Sequence, residues 1–314
     1  MLRPISPGTS AVAFIATSLF ASLIGRLVVT RFFFDYPVVI LLLQNATILF
    51  FVEILRILNV IKLAPYSFER GRHVFLASFL FCVAQWLTVA SFEGIGLPVF
   101  DAVKRFTPLA IVAVSTVFHR QGRIEKGVYG SVLAISVISF FTINLEITVD
   151  RFSLFYGVIA ACLQAIAYVQ FENLSQNFPA IDMLYLHSFN SLLVFLLADV
   201  VQDEIRDAFM YMMTSAHPLF TFVFVVLLLS ALPLQFATFL SIEMNGALNT
   251  QIISNVRSCV QIFIAYFLSL YLFYDVSPSL VNYLGLLAIL PATYYYVQTV
   301  CARSDIKMPW VVKA

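Results

Sequence analysis

Charge is scarce in this sequence. Asp, Glu, Lys and Arg make up only 11% of its 314 residues, against about 25% in an ordinary soluble domain, and that deficit excludes a water-soluble fold. Cysteine is sparse too. Cys82, Cys162, Cys259 and Cys301 fall in four separate hydrophobic segments, and with no paired spacing they form neither a disulfide framework nor a thiolate metal site. They read as small core residues. No basic block accompanies the net charge of +1, so nothing calls for a nucleic-acid partner. H-E-x-x-H, G-x-S-x-G and Walker A patterns are missing; the chain is not read as an enzyme, needs no cofactor or metal, and has no phosphate loop for ATP-driven pumping. No low-complexity linker divides residues 1–314, which read as one membrane domain.

What replaces the missing charge is apolar. Hydrophobic residues make up 61% of the chain, 32 of them Phe, and the mean hydropathy is +0.94. Runs of about 20 such residues are long enough to cross a hydrocarbon core of about 30 Å. Windows of that length predict an all-α membrane protein with ten transmembrane helices, at 9–30, 37–61, 73–93, 97–118, 127–147, 152–174, 181–201, 217–240, 246–272 and 278–300. The first could pass for a signal peptide, with Arg3 before the apolar stretch Ala11 to Ile24. That stretch continues past Arg26 into Leu27, Val28 and Val29 without a small-residue cleavage site, so a first membrane helix is expected.

Ten spans place both termini on one side of the membrane, and the basic residues choose which. With the N-terminus cytoplasmic, Arg3, Arg56, Lys62, Arg70, Arg72, Arg120, Arg123, Lys126, Arg303, Lys307 and Lys313 are cytoplasmic, and only Arg31, Arg151 and Arg206 lie opposite. Of the 18 basic residues this leaves Arg26, Lys104, Arg105 and Arg257 inside the membrane. The acidic cluster Asp199, Asp203, Glu204 and Asp207 falls on the far side, and the glycosylation-like triplet Asn173-Leu-Ser175 falls on the cytoplasmic side, where it reads as a chance match. Ten spans also divide into five plus five, 9–147 and 152–300, which an odd number per half makes inverted in the membrane, as in many secondary transporters with a midplane site.

A cation at mid-membrane costs about 2.5–3.5 kcal/mol on insertion scales and ordinarily faces a substrate or ion pathway. Arg257, near the middle of the apolar stretch Ala247 to Leu272, is the deepest. Thr250, Ser254, Arg257 and Gln261 recur at the spacing of one helical face. Such a face suits a phosphate, which a guanidinium fork matches, and its small residues would equally serve close helix packing. In the fourth span Asp101 can reach Lys104 or Arg105 one turn on, leaving the other basic group for an anion or to snorkel outward. In the seventh span Tyr185, His187, Ser188, Phe189, Asn190 and Ser191 form a cluster in which an amide beside an aromatic ring can pair with and stack on a nucleobase. Interhelical bonding explains that cluster as well. Arg26 is expected to snorkel at the end of the first span, Tyr294, Tyr295 and Tyr296 to anchor the last one, and Glu93 and Glu146 to sit solvated at span boundaries.

These residues resemble a known family. Asn245-Gly-Ala-Leu-Asn249-Thr with Arg257 following resembles the ninth-span signature of nucleotide-sugar transporters in the drug/metabolite transporter superfamily, and Gly246-Ala247-Leu248-Asn249 is similar to the G-A-L-N motif of the GDP-mannose branch. Phe189-Asn190 resembles the first two positions of the F-N-N motif, and Val103-Lys104-Arg105-Phe106 the basic pair of UDP-sugar transporters. The likeness extends over nearly the whole chain in span count, through short motifs. It implies ten helices in two inverted halves and exchange of a cytosolic nucleotide sugar for a luminal nucleoside monophosphate in the Golgi membrane, the endoplasmic reticulum being the alternative. It also implies that Asn190 and Ser191 hold the base, while Gly246, Ala247, Leu248, Asn249, Thr250, Ser254 and Arg257 meet sugar and phosphates, assisted by Lys104 and Arg105. Ser191 in place of the second Asn, and Thr250 in place of the Lys after G-A-L-N, depart from GDP-mannose carriers, and a basic residue at 257 suits the UDP-sugar branch. A carrier of phosphorylated metabolites of the triose-phosphate type and a non-transporting membrane scaffold are the competing expectations. The oligomeric state is open, a homodimer among the alternatives.

Overall fold

The computed structural model describes residues 6–91, 97–118, 126–143, 151–214, 217–267 and 278–301. Among these the regular secondary structure is all helical: α1 (Pro7–Phe32), α2 (Pro37–Ile57), α3 (Phe68–Ala90), α4 (Leu97–Lys104), α5 (Thr107–Phe118), α6 (Lys126–Phe141), α7 (Arg151–Leu174), α8 (Ala180–Gln202), α9 (Glu204–Thr214), α10 (Pro218–Phe267) and α11 (Leu280–Cys301). Seven of the helices formed by described residues are long and apolar enough to cross a membrane. The chain is a multi-pass helical membrane protein.

Local chemistry sets the helix starts. Ser6 and Thr9 form a reciprocal capping box, the Ser6 hydroxyl accepting from Thr9 N and the Thr9 hydroxyl from Ser6 N, and Pro7 occupies a first-turn position where a missing N–H costs nothing. Pro37 does the same for α2, and the Ser67 hydroxyl caps α3.

Three features differ from the hydropathy windows. The 97–118 window holds two helices, α4 and α5, separated by a turn at Arg105 and Phe106. The 217–240 and 246–272 windows fall in one continuous assignment, α10, broken at Gly246, whose φ of 81° is not helical. Finally, the stretch between the 181–201 and 217–240 windows contains α9, a helix of 11 residues too short to cross a membrane. Glu93, Glu146, Arg3, Arg120, Arg123, Arg303, Lys307 and Lys313 lie outside the described residues.

The break at Gly246 turns the chain back on itself. Ser241 and Thr250 share a hydroxyl–hydroxyl hydrogen bond of 2.9 Å, whereas nine residues of unbroken helix would separate them by about 13.5 Å. Contacts along α1 trace both limbs. Phe220 meets Phe32 near the end of α1, Asn245 donates to the Ser10 hydroxyl near its start at 2.8 Å, and beyond the bend Arg257 and Gln261 lie with Ser22 and Arg26 again. The central core joins Phe81 of α3, Phe171 of α7, Tyr185 of α8 and Phe239 of α10. At the far end of α1 a second core gathers Phe34, Tyr36, Tyr211, Phe220 and Phe224, with α9 laid over it through Ala208.

Candidate functional site

A proline creates the site's first element. Pro108 has no N–H to close a helical bond to the Lys104 carbonyl, and that carbonyl accepts from the Thr107 hydroxyl instead, at 2.7 Å. Leu109 N bonds the Phe106 carbonyl in a tighter turn. The Arg105 carbonyl is then free to accept from Asn255 Nδ2 on the second limb of α10 at 2.9 Å, and the Arg105 guanidinium donates back to the Asn255 carbonyl at 3.2 Å. A broken helix is thus stitched to a neighbour, and the backbone group that the break frees is paired, as backbone buried among membrane helices must be.

Around this turn lies a cavity of about 100 Å³. Ser22 and Arg26 of α1, Thr88 of α3, Asp101 and Lys104 of α4, Arg105, and Gln164 of α7 line it, together with Gln251, Ser254, Asn255, Arg257, Ser258, Gln261 and Ile262 of α10. All four basic residues that positive-inside counting leaves within the membrane therefore meet in one place, against a single carboxylate among the lining residues. Arg26 is only 4% exposed and forms a 2.8 Å ion pair with Asp101. This corrects the expectation that it snorkels: α10 covers that part of α1, so the guanidinium points inward. Lys104 donates to the Thr88 hydroxyl at 2.8 Å, and Arg257 to Gln261 Oε1 at 2.8 Å. The Nε groups of Arg105 and Arg257 are buried without a hydrogen-bond partner among the described residues. Also on the lining, Gln164 Nε2 donates to Gln251 Oε1 at 3.2 Å.

Such a site can hold an anion. Buried guanidinium donors match phosphate oxygens bidentately, and charge-assisted bonds of this kind are about twice as strong as neutral ones. Its volume fits a compact anionic group, since pockets for whole drug-sized ligands run to about 300–1,000 Å³. A larger substrate needs the helices to part.

Of the residues expected from the sequence, the fold brings Lys104, Arg105, Ser254 and Arg257 together at the cavity. It does not bring Asn190, Ser191 or the 246–250 segment there. Asn190 is 1% exposed, its Nδ2 donating to the Gly71 carbonyl at 3.0 Å and its Oδ1 accepting from the Tyr66 hydroxyl at 3.2 Å. The Tyr66 ring stacks on Phe189 at 4.4 Å. Ser191 is bonded within the packing to His187 and Cys82, and His187 is enclosed by the rings of Phe81, Phe171 and Phe239.

The G-A-L-N segment builds the bend. Gly246 combines its positive φ with a carboxylate so near that an added Cβ would lie 2.8 Å from Glu172 Oε1. Glu172 also accepts from Ala247 N at 3.1 Å, capping the second limb. Leu248 packs against the core, and Asn249 is held between the Asn245 carbonyl and the Tyr296 hydroxyl. Thr250 is tied to Ser241. Tyr296 is accordingly buried rather than anchored at the surface like Tyr294 and Tyr295.

Sequence reasoning missed Arg26, Thr88, Gln164, Gln251, Asn255 and Ser258 as lining residues. One signal was available: Gln251, Ser254, Asn255 and Ser258 recur at helical spacing, a second polar stripe beside the one containing Arg257.

No family model matches the chain. Over 172 residues it is 24% identical to UDP-galactose/UDP-glucose transporter 7 of Arabidopsis thaliana, a match covering 54% of this chain and 53% of that protein. The chain thus spans about half the length of this curated relative. A protein of known crystal structure superposes with a TM-score of 0.68 over 95% of this chain and 99% of its own, at 11% identity. At that identity the likeness is one of fold.

Proposed function

We propose that this chain is a nucleotide-sugar antiporter that exchanges a cytosolic UDP-sugar for a luminal nucleoside monophosphate by alternating access. The observation that carries the reading is the convergence of Arg26, Lys104, Arg105 and Arg257 on one buried cavity with a single lining carboxylate, Asp101. Both exchanged species carry phosphate, which offsets the excess of cations over Asp101 on each passage, while the empty carrier would have to reorient with that excess positive charge buried. That asymmetry produces exchange. The similarity to a UDP-galactose/UDP-glucose transporter supports the substrate class, as do Ser191 and Thr250, which depart from the GDP-mannose pattern.

Contacts between elements support two inverted halves, α1–α6 and α7–α11, making ten spans when the limbs of α10 count separately and α4 and α5 count as one. α3 packs on α7 and α8 as α10 packs on α1 and α2, while α2 pairs with α8 and α6 with α11. Inversion exchanges partners in this way. Both termini are cytoplasmic in this proposal, supported by the distribution of Lys and Arg, and Golgi residence follows from the family resemblance. Ser254, Lys104, Arg105 and Arg257 hold the phosphates; Gly246 to Thr250 shape the bend that presents them.

Reconstitution into liposomes tests the reading. Internal UMP should accelerate uptake of labelled UDP-sugar many-fold, and equal uptake into vesicles without internal nucleotide would rule out exchange. The cavity's small volume favours one second reading, a carrier of small phosphorylated metabolites. Uptake of sugar phosphates with none of UDP-sugars would select it.

A further inference from the structure

The cavity lining carries neutral amides as well as cations. Its cations come from α1, α4, the α4–α5 turn and the second α10 limb, and two neutral amides line it beside them, Gln164 of α7 and Gln251 of α10. Both are buried, at 9% and 3% exposure. Three other polar lining groups are engaged with the cationic residues: Thr88 with Lys104, Asn255 with the Arg105 backbone, and Gln261 with Arg257. Gln164 and Gln251 bond to each other, across the space between two helices.

The residues expected to read a nucleobase are engaged elsewhere. Asn190 has its amide group and its carbonyl oxygen both bonded within the protein, and Ser191 is fully buried against His187 and Cys82. A substrate with a charged end and a flat, neutral, hydrogen-bonding end therefore needs a different reader. We propose that Gln164 and Gln251 are the specificity-determining residues of this site and that they receive the imide edge of a uracil ring. The inference rests on the nucleotide-sugar reading above and assigns its base subsite.

The chemistry fits closely. Each carboxamide offers two N–H donors and a carbonyl acceptor, and a uracil edge presents carbonyl, N–H and carbonyl in a row. The two amides together can present N–H, carbonyl and N–H against it. Breaking one amide–amide bond to make amide–imide bonds exchanges like for like, so the net cost of opening the pair is small. In the unliganded carrier the two amides share one bond and Gln164 also bonds the Tyr168 hydroxyl, so neither buried amide stands unpaired.

Thermal stabilisation of the purified 314-residue chain by UMP, N3-methyl-UMP and ribose 5-phosphate tests this, because at a given concentration the ligand that binds the folded state more tightly stabilises it more. N3-methylation removes the imide donor and leaves the phosphate intact. The parent protein should bind UMP about tenfold more tightly than N3-methyl-UMP, the loss expected for one to two neutral hydrogen bonds. Gln164→Leu and Gln251→Leu should close that gap while keeping the response to ribose 5-phosphate, which reports a folded cationic end. Where a Leu variant lacks that response, Gln164→Asn and Gln251→Asn, which keep an amide on a shorter stem, carry the comparison. A tenfold gap that survives in folded variants at both positions overturns the assignment. If the parent binds ribose 5-phosphate as tightly as UMP, the nucleotide reading fails and this inference fails with it.

Discussion

Arg105 and Asn255 hold each other by a reciprocal pair of hydrogen bonds: guanidinium to the Asn255 carbonyl at 3.2 Å, and Asn255 amide to the Arg105 carbonyl at 2.9 Å. The pair joins the broken α4–α5 helix to the second limb of α10, the elements that carry three of the four buried cations, and fixes where those cations stand.

Asn255→Ala removes the donor and leaves the Arg105 carbonyl buried without it. A buried polar group deprived of its partner costs about 1–3 kcal/mol, so the detergent-solubilised variant should unfold at lower temperature than the parent and respond more weakly to added pyrophosphate. An unchanged melting curve would show that the turn is held by other contacts.

The Arg26–Asp101 ion pair should be strongly coupled. Its side chains are 5% and 18% exposed, and removing one member of a buried pair typically costs about 3–5 kcal/mol because the other charge loses its compensation. Asp101→Asn should therefore destabilise more than the double variant Arg26→Gln/Asp101→Asn. Equal and additive losses in a double-mutant cycle would exclude the coupling.

Gly246→Ala should be poorly tolerated for two independent reasons. A φ of 81° with ψ of 167° is strained for any residue with a Cβ, by about 1–3 kcal/mol, and that Cβ would sit 2.8 Å from Glu172 Oε1. Truncating Glu172 removes the clash but also the cap on Ala247 N. The double variant Gly246→Ala/Glu172→Ala is thus expected to remain less stable than the parent in thermal unfolding.

Outside the membrane-spanning helices, Glu204 should confer a pH dependence. Burial, with Asp199 and Asp35 adding like charge, raises its pKa above the ordinary carboxylate value, against the lowering effect of the Val38 and Val39 backbone N–H groups. The folded state then binds its proton more tightly than the unfolded chain. Its contribution to stability is full below the unfolded carboxylate pKa and disappears as pH rises through the raised value. Glu204→Gln should flatten the stability profile between those two limits, and a profile identical to the parent's would exclude the effect.

Most of the helical content is legible in the sequence because burial in lipid is written residue by residue, as unbroken apolar windows. The intramembrane cations are legible for the complementary reason: positive-inside counting leaves them without a loop. Their meeting is not. Arg26 and Asp101 lie on different helices, and no periodicity links them, whereas the i,i+4 logic that suggested Asp101 with Lys104 or Arg105 is confined to a single helix. The stripe Ser254, Arg257 and Gln261 reaches the cavity because one helical face turns as a unit, yet Thr250 on the same face is drawn to Ser241 by the bend at Gly246. Motif likeness located that bend without revealing that its glycine shapes the backbone.

Arg257 separates a carrier from a scaffold. Its guanidinium is positioned by Gln261 through NH1 and keeps a buried Nε without a hydrogen-bond partner among the described residues, so the fork is oriented while part of its bonding capacity is unused by the protein. Arg257→Lys preserves charge but replaces the planar fork with a point charge; Arg257→Gln removes the charge as well. If the residue clamps phosphate, nucleotide exchange in liposomes should fall by about tenfold for Lys and about one to two orders of magnitude for Gln, the range expected for charge-assisted hydrogen bonds. Thermal stability without ligand should not fall in Arg257→Gln, since a buried cation in an apolar helix is itself costly. Higher stability with lower flux is the pattern of a binding residue retained against the interest of the fold. Parental exchange rates in both variants would remove Arg257 from the transport path.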